Sequence, residues 1–235
     1  MTIANFKTMV AAYMNRTAAS LIVNSQDLLL QAINDARRSA QRAHEFELLR
    51  TEDCYLATSA VGANWMTGCK TAPGGSTAIL MRRVDEVWNY ATATTPSTYY
   101  PRTTRIPFSY TGQFKRELPA ADTSTIMMPQ DYILSNRFAY CTGSKLYITT
   151  ATTTASYKLV GIAWLDDLST GSEDPDIFFT YYTDWLKYAT IAALNVYLKD
   201  SERFPIDAQM MTTLWYSVKG HDGGIANMGE SVNLD

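Results

Sequence analysis

Apolar residues at helical spacing occupy both ends of this 235-residue chain, whereas its middle has the texture of strands and turns. From Ile3 to about Arg50 apolar residues recur every three or four positions, and the same spacing returns from Asp176 to about Val218. Neither helical zone is thick enough to bury both of its faces alone. The order of the zones therefore predicts an α+β fold, in which the first and last zones pack as one helical bundle and the middle is a β-rich insertion.

The predicted domain boundaries follow these changes of texture. Residues 1–53 and 172–220 form the discontinuous helical bundle, residues 54–171 form the insertion, and residues 221–235 form a flexible, extended carboxyl-terminal arm. Gly220 is expected to end the last helix, because glycine is common just after a helix. The arm is predicted because the sequence after Gly220 contains three glycines and no periodic apolar face.

The amino-terminal zone predicts two helices. One face of the first contains Ile3, Phe6, Met9, Val10 and Tyr13, and Asn24 or Ser25 is expected to cap the second. The second helix has a narrow apolar seam of Leu29, Ile33, Ala36, Ala40, Ala43 and Phe46. Its opposite, solvated face consists of Arg37, Arg38, Gln41, Arg42 and Glu45. The alanines in the seam allow another helix to approach closely, as in a bundle.

The middle block predicts strands separated by turns. Residues 138–141 and 145–149 flank Thr142-Gly143-Ser144 as a hairpin, and residues 157–164 form another strand. Residues 78–88 and 104–110 are also expected to be strands, although residues 81–88 are compatible with a helix as well. The loops around residues 73–75 and 94–104 are long and polar, which is typical of mobile or partner-binding loops.

The carboxyl-terminal zone predicts two further helices. The buried face of the third consists of Trp185, Tyr188, Ala189, Ala192, Val196 and Tyr197, and its polar flank of Lys187, Thr190, Asn195 and Lys199. Asp207 is expected to cap the fourth, whose apolar residues are Met210, Met211, Leu214, Trp215 and Val218.

Composition excludes several broad classes of protein. The net charge of −3 and the isoelectric point near 5.4 argue against a protein that wraps nucleic acid, which needs clustered lysine and arginine. The three cysteines are irregularly spaced, so reduced thiols are expected and not a disulfide framework or a zinc site. A signal peptide and an apolar run long enough to cross a membrane are both lacking in the sequence. We expect a soluble protein that is made in the cytoplasm and not addressed to a membrane.

The sequence predicts no catalytic centre, cofactor or metal site. His44 lies among the charged residues of the second helix, where a solvated or capping role is expected, and His221 lies in the glycine-rich tail. Residues 142–145 resemble the end of a phosphate loop but lack its upstream glycine and lie in a hairpin. One acidic group remains, consisting of Asp166, Asp167, Glu173, Asp174 and Asp176. Carboxylates before a helix favour capping over a partner contact or a weak cation site.

Several segments of the two helical zones resemble one known family. They are residues 28–36 (LLLQAINDA), 43–47 (AHEFE), 174–176 (DPD), 185–189 (WLKYA), 192–193 (AA) and 197–203 (YLKDSER), with a fainter likeness at 157–162 (YKLVGI). Their order is similar to that of the head-to-tail adaptor proteins of tailed phages, of the tail tubular protein A type. The resemblance covers both helical zones, about half of the chain, and departs from the family in the middle block.

The resemblance implies a virion structural protein at the head–tail junction, synthesised in the host cytoplasm. Its implied partners are the portal protein, the tail (nozzle) protein and further copies of itself, in a ring commonly of twelve copies through which DNA passes without specific binding. The implied portal-binding residues are those of the arm, namely His221, Asp222, Gly223, Gly224, Ile225, Ala226, Asn227, Met228, Val232 and Leu234. The implied subunit interface contains Arg37, Arg38, Arg42, Lys187 and Lys199.

Physical arguments agree with such a role. A ring subunit must bury two different faces, and the 15 tyrosines, 5 tryptophans and 10 methionines provide suitable side chains. A channel that passes DNA must not hold it, which suits a mildly acidic protein.

Two other functions compete with the adaptor. One is a carbohydrate- or receptor-binding module of a phage tail, built on the tyrosine- and threonine-rich block between Cys54 and Leu168. The other is a hydrolase that uses the acidic group, ranked last because no catalytic pattern accompanies these carboxylates.

Overall fold

The computed structural model describes residues 1–58, 61–89, 104–106, 108–110, 139–148, 155–170, 173–200 and 202–230. Helices and strands both contribute, so the predicted α+β class is confirmed. The chain forms two compact units, a helical unit of residues 1–49 and 166–235 and a β unit of residues 50–165. The β unit thus begins before the predicted boundary at residue 54, because its first long strand starts at Arg50, and ends before the predicted boundary at residue 171.

The helical unit contains five α-helices: α1 (Ile3–Tyr13), α2 (Leu28–Ala43), α3 (Ile177–Thr180), α4 (Thr183–Leu198) and α5 (Phe204–Glu230). Short 3-10 helices occupy Ala18–Leu21 and Glu47–Leu49, and a two-stranded hairpin joins β1 (Ile22–Val23) to β2 (Gln26–Asp27). The predicted first helix and its buried residues Ile3, Phe6 and Val10 are confirmed, with the Thr2 hydroxyl accepting a hydrogen bond from the Asn5 N–H.

The start of α2 differs from its prediction. Asp27 is the cap, since its Oδ1 accepts a hydrogen bond of 2.9 Å from the Leu30 N–H. Asn24 and Ser25 instead form the turn of the preceding hairpin, where both have positive φ values of 49° and 65°. Two consecutive residues with positive φ make the type of turn that matches the twist of a tight hairpin.

The β unit contains β3 (Arg50–Thr58), β4 (Ala63–Asn64), β5 (Cys69–Lys70), β6 (Ala78–Asn89), β7 (Thr104–Ile106), β8 (Phe108–Tyr110), β9 (Ala139–Thr142), β10 (Lys145–Ile148) and β11 (Ala155–Trp164). The predicted hairpin is confirmed as β9–β10, whose register pairs Thr142 with Lys145. The strands predicted at residues 78–88 and 157–164 are confirmed as β6 and β11. The helix considered for residues 81–88 is therefore wrong. The long loop predicted at 94–104 lies outside the described residues except for Thr104.

Strand pairing in the larger sheet closes on itself. Both β11 and β5 pair with β3 and with β6, all antiparallel, and β7 adds to β6. The register of β11 against β6 shifts between Val160 and Gly161 and again between Ile162 and Ala163. The two strands lie so close that a Cβ at Gly161 would be 2.1 Å from the Arg83 carbonyl oxygen. The smaller sheet has the order β4-β10-β9-β8, with β8 parallel to β9.

The core of the β unit consists of buried side chains from its strands and from the segment after β4. It contains Cys54, Leu56, Trp65, Cys69, Met81, Val84, Val87, Ala139, Cys141, Leu146, Ile148, Tyr157 and Leu159. All three cysteines are buried thiols outside any disulfide, and burial raises the pKa of the Cys141 thiol to about 12.

In the helical unit, several residues differ in burial from their prediction. Arg37 and Gln41, predicted on the solvated face of α2, are buried, whereas Ala43 of the predicted seam is exposed. Thr190 and Asn195 of the predicted polar flank of α4 are also buried, and Val196 of the predicted core is 61% exposed. The cause is the same in each case, since α4 packs against both α2 and α5 and leaves a different side free than its polarity suggests.

The predicted flexible arm is wrong for residues 221–230. Helix α5 runs for 27 residues from Phe204 to Glu230, through Gly220 and the glycines after it. Burial of Asp222 against residues outside α5 keeps this part of the chain on the helical unit, which the local sequence does not reveal. Residues 231–235 lie outside the described residues.

Candidate functional site

The most distinctive polar arrangement of the helical unit involves Asp222 of α5. Its carboxylate is 1% exposed and lies 2.8 Å from Nε2 of His44, which ends α2. The Glu47 N–H, at the start of the 3-10 helix, points at both Asp222 oxygens, at 3.1 and 3.2 Å. A buried carboxylate with several donors is well suited to hold two chain segments together. We call this arrangement of Asp222, His44 and the Glu47 N–H the Asp222 site.

An aromatic cluster lies next to the Asp222 site. It contains Phe46, Phe178, Tyr182, Trp185 and Trp215, with ring centroids 5.2 Å apart for Phe46–Phe178 and 5.1 Å apart for Trp185–Trp215. The His44 ring meets Phe46 edge-on at 4.9 Å. Edge-to-face and tilted ring pairs of this kind stabilise packing beyond the area that they bury. The prediction that Trp185 belongs to a buried aromatic core is confirmed, since it is 5% exposed.

His221, the residue before Asp222, is held by two tyrosines. Its ring stacks on Tyr181 at 6.1 Å, and its Nδ1 lies 3.4 Å from the Tyr182 hydroxyl. The sequence-based interpretation, in which nothing orients His221, is therefore wrong. The three side chains line an open groove of about 400 Å³ between the start of α4 and the middle of α5.

A second carboxylate of the helical unit, Asp176, is largely buried, with 12% of its side chain exposed. It accepts hydrogen bonds from Arg37 Nε at 2.8 Å and from the Phe178 N–H at 2.9 Å, and Arg37 Nη2 lies 2.5 Å away. Asn34 completes the network, because it accepts from Arg37 Nη1 and pairs with both backbone groups of Leu168 at 2.9 Å. Asp176 thus confirms the predicted capping role within the acidic group.

The other members of the acidic group make separate contacts or are exposed. Glu173 accepts hydrogen bonds from the Ser169 N–H and hydroxyl and from the Thr170 N–H, which lowers the pKa of its carboxyl group. Asp167 lies 3.3 Å from Arg38, and Asp166 and Asp174 are exposed. In the part of the chain that the structure describes, no group of three or more His, Cys, Asp or Glu side chains is placed to hold a metal ion.

The five side chains predicted for a subunit interface differ in their surroundings. Arg37 is 3% exposed and engaged with Asp176, so its predicted place on the subunit surface is wrong. Arg38 is partly exposed and lies 3.0 Å from Asp35, whereas Arg42 is exposed. Lys187 lies over the rings of Tyr13 and Tyr188, at 4.3 and 5.1 Å. Lys199 is exposed and ends α4 in the left-handed conformation, with φ of 56°.

Large apolar side chains are exposed along α5. Ile206 is 65% exposed and Tyr216 71% exposed, and Phe204 and Met210 are each 40% exposed. Only Asp207, Val218 and Asp222 are buried among the described side chains of this helix. Several large apolar side chains exposed along one helix are candidates for a surface that another molecule covers.

Burial raises the pKa of three tyrosines of the helical unit, Tyr13, Tyr182 and Tyr197. Burial raises the pKa of Tyr182 to about 12, and the negative charge of Asp222 adds to the effect. Burial and the hydrogen bond that Tyr197 donates to Asp35 raise the pKa of Tyr197 to about 12. All three phenols are therefore neutral at physiological pH.

Sequence reasoning missed the two polar networks. Asp222 was assigned to an unstructured arm and Asn34 only to a motif, yet both join segments that are distant in the chain. A signal for Asp222 was present, because an aspartate among glycines after an apolar helical pattern is compatible with continued helix once a partner exists. Nothing local identifies His44 as that partner.

Two comparisons of the sequence with known proteins give no match. The chain matches no protein-family model. A search of curated proteins likewise finds no match. No helix within the described ranges is long and apolar enough to cross a membrane.

Proposed function

We propose that this chain is a virion structural protein, a head-to-tail adaptor that forms a ring between the portal and the tail of a phage. The observation that carries the proposal is the exposed apolar surface of α5, with Ile206 and Tyr216 at its most exposed positions. A monomer gains nothing from exposing such side chains, whereas an assembly protein buries them against its neighbours.

The positions of the family-like motifs support the proposal. Residues 28–36 lie in α2, residues 174–176 precede and cap α3, and residues 185–203 cover α4 and the turn into α5. All of these segments belong to the helical unit. We propose that this unit is the bundle that forms the ring wall, that the β unit faces the tail protein, and that the end of α5 faces the portal.

The electrostatic properties of the chain are compatible with a channel for DNA. Its net charge is −3, and Arg37 and Arg38 are both engaged with carboxylates. Arginines paired in this way have little charge left for phosphate groups. DNA would pass through the ring without specific binding.

The location in the particle is the first test. We expect antibody or mass labelling of the assembled virion to place the chain at the portal–tail junction. Labelling at the distal tail tip or on the capsid surface would refute the adaptor function.

Assembly with the portal is the second test. Purified chain mixed with purified portal should give rings on the portal in negative-stain micrographs, and Ile206→Glu should abolish them because it puts a charge into a buried contact. Thr8→Glu, at an exposed position of α1 outside the α5 surface, is the matched control and should leave the rings intact. Rings formed equally by the Ile206→Glu variant would remove this surface of α5 from the assembly.

A further inference from the structure

The last part of α5 is a poor helix by sequence. We call residues 219–230 the tail segment; it begins KGHDGGI and includes Gly220, Gly223 and Gly224. Each glycine inside a helix destabilises it by about 1 kcal/mol relative to alanine, because glycine has more conformational freedom to lose. An isolated peptide of this sequence would not be helical.

Packing does not require these glycines. No described heavy atom outside the adjoining helical backbone lies within 4 Å of a Cβ built on Gly220, Gly223 or Gly224. Their φ values are not in the left-handed region either. Alanine would fit at each position. The glycines therefore make the helix less stable than the space around it requires.

Tertiary contacts therefore keep the tail segment helical, and those described are made by two adjacent residues, His221 against Tyr181 and Tyr182, and Asp222 against His44 and the Glu47 N–H. Asp222 is buried, whereas Gly223, Gly224 and Ile225 are only half-buried. The carboxylate loses its hydration on burial, which offsets much of what its hydrogen bonds to His44 and the Glu47 N–H return. The net free energy of forming this contact is thus close to zero, and small changes in it decide whether the contact forms.

The rest of the helical unit does not depend on the tail segment. Phe46 is fully buried against Phe178, and Trp215 and Val218 reach the aromatic cluster from the part of α5 that precedes the tail segment. The Arg37–Asp176 ion pair links α2 to the start of α3. These contacts remain when the tail segment leaves.

We propose that the tail segment is a releasable element, held on the helical unit by the Asp222 site. In its docked state it is helical and Asp222 occupies the Glu47 N–H. In its released state it loses its helical structure while helices α1 to α4 keep theirs, and the Glu47 N–H becomes available to another carboxylate. The inference concerns the isolated chain and does not depend on the adaptor function, although an assembly protein could use such an element when it meets its partner.

Hydrogen exchange of the full chain, measured by mass spectrometry at neutral pH, tests this proposal. In Asp222→Ala, amides of the tail segment should exchange at least tenfold faster, while those of α2 and α4 keep their rates. Asp53→Ala, an exposed aspartate of the β unit, is the control and should leave the tail segment unchanged. Equal acceleration in the tail segment, α2 and α4 would overturn the proposal, because the segment would then unfold only with the whole unit.

A second variant keeps the test decisive if Asp222→Ala fails to fold. The triple variant Gly220→Ala, Gly223→Ala and Gly224→Ala strengthens the helix without new contacts, so tail-segment amides should exchange at least tenfold more slowly. Unchanged exchange in this folded variant would show that helix propensity does not control release, and would overturn the proposal.

Discussion

Asp222 is fully buried and Asp176 largely so, and each joins α2 or the residue that ends it to a distant part of the chain. The partners of the two carboxylates and the backbone around them differ. Asp176 meets the permanent charge of Arg37 and caps a helix at the same time. Asp222 meets His44 and one backbone N–H, in a helix interrupted by glycines. A buried carboxylate thus fixes structure where the backbone around it is rigid, and holds it reversibly where the backbone is weak.

The largest loss of stability should come from breaking the Arg37–Asp176 ion pair. Arg37→Met leaves the largely buried Asp176 carboxylate without its charged partner, and we expect the free energy of unfolding to fall by about 3–5 kcal/mol. Urea denaturation monitored by tryptophan fluorescence measures it. Arg42→Met, on the exposed side of the same helix, is the control and should change stability by about 0.5 kcal/mol or less. Similar losses in the two variants would mean that the Arg37 network does not stabilise the fold.

Gly161 and Gly220 also differ in how far the backbone around them is fixed. Gly161 is required, because a Cβ there would lie 2.1 Å from a carbonyl oxygen of β6, and we expect Gly161→Ala to destabilise the chain by about 1–3 kcal/mol. Gly220→Ala has open space and should instead stabilise α5, by about 1 kcal/mol at most. Thermal unfolding of both variants checks the opposite signs. A gain in stability for Gly161→Ala would contradict the register of β11 and β6.

Local sequence predicted the elements whose stability is local. The α1 face of Ile3, Phe6 and Val10, the β9–β10 hairpin and the β11 strand follow from periodicity and turn residues, and the structure confirms them. The two networks could not be predicted, since Arg37 meets a partner 139 residues away and Asp222 one 178 residues away. Charged residues are normally exposed, so only the folded chain shows that these two are buried.

The predicted end of α5 at Gly220 was wrong for the same reason. Glycine ends many helices, and the rule is sound where no tertiary contact opposes it. Here Asp222, two residues later, makes buried contacts that outweigh the local preference. The portal-binding role predicted for residues 221–228, 232 and 234 stays a prediction.

Removal of the Asp222 carboxylate should cause a smaller loss of stability. Asp222→Ala should lower the free energy of unfolding by about 1 kcal/mol, because the tail segment can detach and its contacts are lost without leaving a buried charge. Urea denaturation under the same conditions as for Arg37→Met gives the ratio of the two effects. A loss as large as that of Arg37→Met would show that the Asp222 site is as essential to the fold as the Asp176 network.

The smallest effect concerns pH and the tyrosine beside the Asp222 site. The pKa of Tyr182 is raised to about 12 in the folded chain, whereas an unfolded tyrosine ionises near pH 10. Between these values the folded state retains a proton that the unfolded state has lost, so stability is present below pH 10 and falls as the pH rises toward 12. Tyr182→Phe should therefore lose less stability between pH 9 and pH 11 than the natural chain does, in thermal unfolding at several pH values. Tyr216→Phe, at a 71% exposed position, should behave as the natural chain does. A slope for Tyr182→Phe equal to that of the natural chain would mean that Tyr182 does not remain protonated in the folded state, and that the surroundings of the Asp222 site are more open to water than its burial indicates.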